Sequence, residues 1–119
     1  MNIFQNTIHK CIYAWRGLAY VTRREVSFRI ELLVAVLALG AAWQFHFTAL
    51  AWALLLLTIV VVLAAEIINT MLERLLDLIE PRLSLHISLF KDMLAGALFI
   101  LAVVAGIIGW LLLHSQGAF

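Results

Sequence analysis

Two stretches of this chain, residues 32–65 and 93–119, contain no Lys, Arg, Asp or Glu, and every one of those charges falls within 10–31 or 66–92. About 20 apolar residues suffice to cross the hydrocarbon core of a bilayer, so each charge-free run is long enough to span one. The composition supports that solvent. The chain has 119 residues, 66% hydrophobic and 13% charged, against about 45–50% and about 25% in soluble domains. A domain this small buries the smallest fraction of its surface and cannot hide so many apolar side chains in its own core. Disorder is excluded by the same figures, and a disulfide framework by the single cysteine, Cys11. A net charge of +1 gives no basic surface for nucleic acid.

The first run is too long for one crossing. Gln44, His46 and Thr48 break it, which predicts three crossings at about 28–43, 49–68 and 93–113. The N-terminal segment and the 69–92 segment then share one side of the membrane, together with every Lys and Arg. The positive-inside rule makes that side cytoplasmic. Phe4–Tyr20 has neither an uninterrupted apolar core nor a small-residue cleavage pattern, so no cleavable signal peptide is expected. Instead, residues 4–24 have helical period. Phe4, Ile8, Cys11, Ile12, Trp15, Leu18 and Ala19 gather on one face, with His9, Tyr13, Arg16, Tyr20, Arg23 and Arg24 on the other. This predicts an amphipathic helix lying in the membrane interface; packing on another subunit is the alternative. The expectation is an all-α membrane protein, one surface helix plus three crossings, in a single domain over 1–119.

The most informative segment runs from Ala65 to Asp77. With Glu66 at zero on a wheel of about 100° per residue, Asn69 falls at about 300°, Glu73 at about 340° and Asp77 at about 20°. Three carboxylates and an amide thus occupy one narrow face. Ile67, Ile68, Leu72, Leu75, Leu76 and Leu78 fill the rest, with Arg74 the one charge among them. No Gly or Pro separates this stretch from the second crossing, so one helix should continue out of the bilayer until Pro81 stops it. An anchor helix would gain by losing such acids, and acids at a membrane edge are functional by default. The competing reading pairs them with Arg16, Arg23, Arg29 or Lys91 as salt bridges. Oxygen ligands in a stripe suit a hard cation such as Mg²⁺, which takes one or two carboxylates together with substrate phosphates. Zinc does not fit, because His9, His46, His86 and His114 are scattered.

Lys91-Asp92 stands immediately before the third crossing, where a helix start would add free backbone N–H groups to the lysine and attract phosphate. An interfacial anchor is the plainer reading of that pair. Glu25, Arg29 and Glu31 stand at the mouth of the first crossing. Neither a Gly-rich loop ending in Lys-Ser or Lys-Thr nor Gly-x-Gly-x-x-Gly is present.

Taken together, Tyr13-Ala14-Trp15-Arg16-Gly17-Leu18, Glu25, Phe28-Arg29-x-Glu31, Glu66-x-x-Asn69-x-x-x-Glu73-x-x-x-Asp77 and Lys91-Asp92 make the chain resemble the prokaryotic diacylglycerol kinase family, which includes undecaprenol kinases. The resemblance extends over nearly the whole chain. It implies a homotrimer with active sites shared between subunits, in the bacterial cytoplasmic (inner) membrane. It also implies transfer of the ATP γ-phosphoryl to a lipid hydroxyl, with Mg²⁺ as cofactor. Diacylglycerol is the first expectation for the lipid and undecaprenol the alternative. By the same resemblance Glu66 is the catalytic base, and Glu25 and Glu73 hold Mg²⁺. Tyr13, Glu25, Asn69, Glu73, Asp77, Lys91 and Asp92 contact the nucleotide; Trp15, Ser27, Glu31 and Glu66 surround the lipid. The chain departs from the family pattern at Leu83-Ser84, where Tyr-His is usual, and at Leu89, where a basic residue is common; His86 is close but out of register.

A small membrane transporter is the rival from another class. It would place its acid near the bilayer midplane, whereas Glu66 stands at the end of its apolar run. A non-catalytic membrane scaffold would have no use for the stripe.

Overall fold

A computed structural model describes residues 2–79 and 84–119, with only the backbone of Ser84. The chain is all-helical: α1 (Ile3–Arg24), α2 (Val26–Gln44), α3 (Ala49–Ile79) and α4 (Ser84–Ser115). The last three are long and apolar enough to cross a membrane.

Helix α1 begins at Asn2, whose side chain accepts from the Gln5 amide at 2.8 Å, satisfying one of the donors that a helix start leaves open. Arg23 and Arg24 occupy its last turn, where positive charge complements the helix dipole. A single residue, Glu25, then separates α1 from α2. Its backbone is extended (φ −111°, ψ 114°), and its amide still donates to the Val21 carbonyl at 2.9 Å.

The α2–α3 turn closes tightly. His46 adopts φ 53°, the left-handed conformation that commonly ends a helix, and the Phe47 amide donates to the Ala42 carbonyl at 3.0 Å. Thr48 caps α3, its Oγ1 accepting from the Ala51 amide at 3.3 Å. The Thr48 amide in turn donates to Gln116 Oε1 at 2.9 Å, which pins the turn to the end of α4. Beside this pin sits the apolar core of Ala42, Phe47, Ala51, Leu55 and Leu112. Alanines at the helix contacts let backbones approach closely, the usual basis of helix association where lipid removes the hydrophobic drive.

The pin decides where the extra helix length goes. At about 1.5 Å per residue, the 19 residues of α2 span about 28 Å, close to the apolar thickness of a bilayer. Helices α3 and α4, with 31 and 32 residues, run to about 47 Å. Aligned at the turn, both overshoot at the opposite end, the one that carries the charges. There Leu72, Leu75 and Leu76 of α3 border one apolar groove with Phe90, Met93 and Leu94 of α4. The uninterrupted continuation expected beyond Ile68 is observed as far as Ile79; Pro81 and Leu83 lie outside the described residues.

One expectation is corrected. Lys91-Asp92 does not start a helix, because α4 already begins at Ser84. The amides around Lys91 are therefore inside the α-helical ladder and offer no anion site. Ile87, at 1% exposure, gives the helix a side chain to bury before the charge-free run begins.

Candidate functional site

The acidic face of α3 meets the start of α2. Because α2 and α3 run antiparallel from their common turn, Glu66 lies level with the first turns of α2, and Asn69, Glu73 and Asp77 rise above it. Glu66, Asn69 and Thr70 are the buried polar residues among those described. The Glu31 carboxyl, early in α2, is close enough to that of Glu66 for each to influence the other, and Glu73 and Glu25 both act on Glu66 electrostatically. Glu31, Glu73 and Glu25, from two helices and the α1–α2 join, thus all act on Glu66. Two polar atoms here are buried without a hydrogen-bond partner among the described residues, Glu31 Oε2 and Asn69 Oδ1. Such atoms are uncommon in folded proteins and invite a ligand or an ion.

Two basic residues enter the cluster. Lys91 donates to Asp77 Oδ1, bridging α4 and α3. Arg74 Nη2 donates to Glu25 Oε1 at 2.8 Å, and its Nη1 to Tyr20 Oη at 3.3 Å. The salt-bridge reading of the stripe is thus met for Asp77, with Lys91 as its cation. Arg74 was not among the expected partners. Its wheel position beside the leucines conceals it, since its acid comes from a different element.

Below the carboxylates lies an apolar cavity of about 340 Å³. Glu31 borders it, Ala35 and Ala38 of α2 and Thr58 of α3 line two sides, and Gly106 and Gly109 of α4 leave the third open. A carboxyl end leading into a hydrocarbon-lined space is the arrangement expected of a site for an amphiphile with one polar group.

Of the residues expected to contribute, the structure gathers Glu25, Glu31, Glu66, Asn69 and Glu73, with Asp77 and Lys91 paired above them. Ser27 stands exposed in the first turn of α2, and Asp92 is exposed on α4. Tyr13 and Trp15 lie out on α1, 60% and 74% exposed, and the Tyr13 ring meets its own helix neighbours His9 and Arg16. Trp15 borders a groove along α1 with Tyr20 and Arg24. Among the described residues no three His, Cys, Asp or Glu side chains form a complete metal cage. Glu25 and Glu73, both acting on Glu66, and the unpartnered amide oxygen of Asn69 supply oxygen donors of the kind used by a cation that takes its remaining ligands from phosphate.

The sequence profile of the prokaryotic diacylglycerol kinase family matches residues 12–113. A diacylglycerol kinase of Synechocystis is 38% identical over 103 residues, 85% of this chain and 58% of the relative, so the chain spans little more than half of that protein. A diacylglycerol kinase of Escherichia coli is 29% identical over 110 residues, covering 92% of this chain and 89% of the relative. An undecaprenol kinase of Bacillus subtilis is 29% identical over 101 residues, 85% of this chain and 82% of the relative. With three helices long and apolar enough to cross a membrane, and a profile match running from α1 into α4, this chain belongs to the prokaryotic diacylglycerol kinase family, a family of membrane lipid kinases.

Proposed function

We propose that this chain transfers the γ-phosphoryl group of ATP to the hydroxyl of a membrane lipid, converting diacylglycerol to phosphatidic acid at the cytoplasmic face of the inner membrane. The observation that carries the reading is the set of carboxylates acting on Glu66 together with the apolar cavity that one of them, Glu31, borders. Glu66 takes the proton of the lipid hydroxyl. The freed oxygen attacks the γ-phosphorus, the bond to the β–γ bridging oxygen breaks, and ADP leaves. Glu25 and Glu73 would hold Mg²⁺, with Asn69 in support, and that ion supplies charge neutralisation on the transferring phosphate. Lys91, Asp92 and Asp77 contact the nucleotide from the overshooting part of α3 and α4, and Tyr13 contacts it from α1. Glu31, Ser27 and Trp15 border the lipid. Such a division keeps the lipid tail in hydrocarbon and the phosphates in water.

A homotrimer completes each site, because a single chain has few polar residues with which to enclose ATP. The inside orientation rests on the confinement of every Lys and Arg to 10–91 on one side of the crossings. Diacylglycerol is favoured over undecaprenol by the higher identity to a diacylglycerol kinase, 38% against 29% for the undecaprenol kinase. The test is phosphoryl transfer from radiolabelled ATP in mixed micelles that offer both lipids. Label in phosphatidic acid, dependent on Mg²⁺, is expected. A folded protein that labels neither lipid overturns the reading, and label confined to undecaprenol overturns the substrate.

A further inference from the structure

Arg74 belongs to α3 but not to its acidic face, and its guanidinium serves a different element. One nitrogen donates to Glu25 and the other to Tyr20. Glu25 is the lone extended residue between α1 and α2, and Tyr20 lies in the final turns of α1. A single side chain therefore ties α3 to the join and to the end of α1 that leads into it. Val21 is the one buried residue of α1, so little other packing holds the end of that helix. The Arg74–Glu25 pair is half exposed, with side-chain exposures of 51% and 26%. Exposed ion pairs add little to folding stability. What this pair does is fix where the Glu25 carboxylate stands.

We propose that Arg74, assisted by Tyr20, is a positioning residue for Glu25: it engages Oε1 and so orients the carboxylate, leaving the second oxygen for a hard divalent cation. The inference rests on the reading of Glu25 as a metal-holding residue. It assigns Arg74 the part of an outer hydrogen-bond partner, which orients a ligating carboxylate and whose loss typically weakens metal binding about 10–100-fold. Arginine suits the role because its planar fork donates in two fixed directions, here to an acid and a phenol, which a lysine cannot reproduce fully.

The test uses the full chain in detergent micelles, with Mn²⁺ titrated in the presence of a non-hydrolysable ATP analogue and bound metal read by paramagnetic resonance. Arg74→Gln should weaken Mn²⁺ binding about 10-fold or more. Arg74→Lys should recover part of the loss, and Tyr20→Phe should produce a smaller one. In a Glu25→Ala background, Arg74→Gln should add nothing further, because residues acting through one another are not additive. A nitroxide on Cys11, the single cysteine and an exposed one, should become more mobile in Arg74→Gln as the end of α1 is released. Unchanged or tighter Mn²⁺ binding in Arg74→Gln overturns the proposal, as does a full additional loss in the Glu25→Ala background. Should Arg74→Gln fail to fold, Tyr20→Phe decides: undiminished Mn²⁺ affinity with an unchanged Cys11 spectrum overturns it equally. Normal Mn²⁺ binding by Glu25→Ala and Glu73→Ala themselves would instead remove the underlying metal reading.

Discussion

Glu66 is buried to 7% exposure yet faces another carboxyl, Glu31, and receives the fields of Glu73 and Glu25. Packing alone does not favour such a residue, since like charges brought together cost free energy unless a cation or a proton intervenes. As a general base it should be indispensable to turnover. Glu66→Gln keeps size and hydrogen bonding but removes the basic oxygen, so kcat should fall about 10²-fold or more, with nucleotide affinity little changed. Near-normal kcat, measured beside nucleotide affinity and thermal stability on one preparation, removes Glu66 from the base role. A purely structural Glu66 would instead lower stability and move both kinetic constants together. Glu73→Ala should abolish turnover and Glu25→Ala greatly weaken it, each leaving Mg²⁺ short of a ligand. Full activity in a Glu73→Ala protein of normal assembly size contradicts that assignment. At this scale the sequence is informative within one helix and silent between helices. The spacing of Glu66, Asn69, Glu73 and Asp77 displays their common face, but nothing in the spacing of Arg74 points to Glu25.

Among the elements, α3 is read almost completely from its residues, and α4 from Met93 onward but not at its start. A break in hydropathy marks where lipid ends, not where a helix ends. Lys91 and Asp92 halt the apolar run without interrupting α4, which continues back to Ser84 on the burial of residues such as Ile87. The three crossings were legible because a charge-free run has few other uses. The overshoot of α3 and α4 was not, because it depends on the Thr48–Gln116 bond, a contact between distant parts of the chain. Truncating Ile87 tests what holds the overshoot together. Ile87→Ala removes a side chain that is 1% exposed and should cost about 2 kcal/mol or more. Thermal unfolding should drop accordingly, and amide exchange should rise in residues 70–79 and 84–92 while the core around Ala42 and Leu55 stays protected. Uniform exchange across both regions would show that the overshoot is not a separate unit.

At the scale of the molecule, much of the apolar surface faces outward, including Leu50, Leu57, Val60, Met71, Phe99 and Ile100. Lipid and other copies of the chain are the two environments that can cover it. If sites are shared between subunits, inactive variants should complement one another. Because Glu25 acts on Glu66 within one chain here, mixing Glu66→Gln chains with Glu25→Ala chains tests this directly: partial recovery would show sites that draw these two residues from different subunits. No recovery, with mixed assemblies demonstrated, would show that each site is built within one chain.

The single-residue join at Glu25 has a geometric consequence. With no slack between them, α1 and α2 share a fixed azimuth: the apolar side of α1 is aimed by the count of residues up to Glu25. One alanine inserted between Thr22 and Arg23 would turn everything before it by about 100° about the helix axis. Phe4, Ile8, Cys11 and Trp15 would swing together away from the direction they now face, while Tyr20 would leave Arg74. Such an insertion alters no side chain at the carboxylates, yet it should change how readily a membrane-impermeant thiol reagent reaches Cys11 in proteoliposomes. Shortening the same helix by one residue turns it the opposite way. The length of α1 therefore serves as an angular setting, and single-residue insertions or deletions there should be far less tolerated than substitutions at its exposed positions.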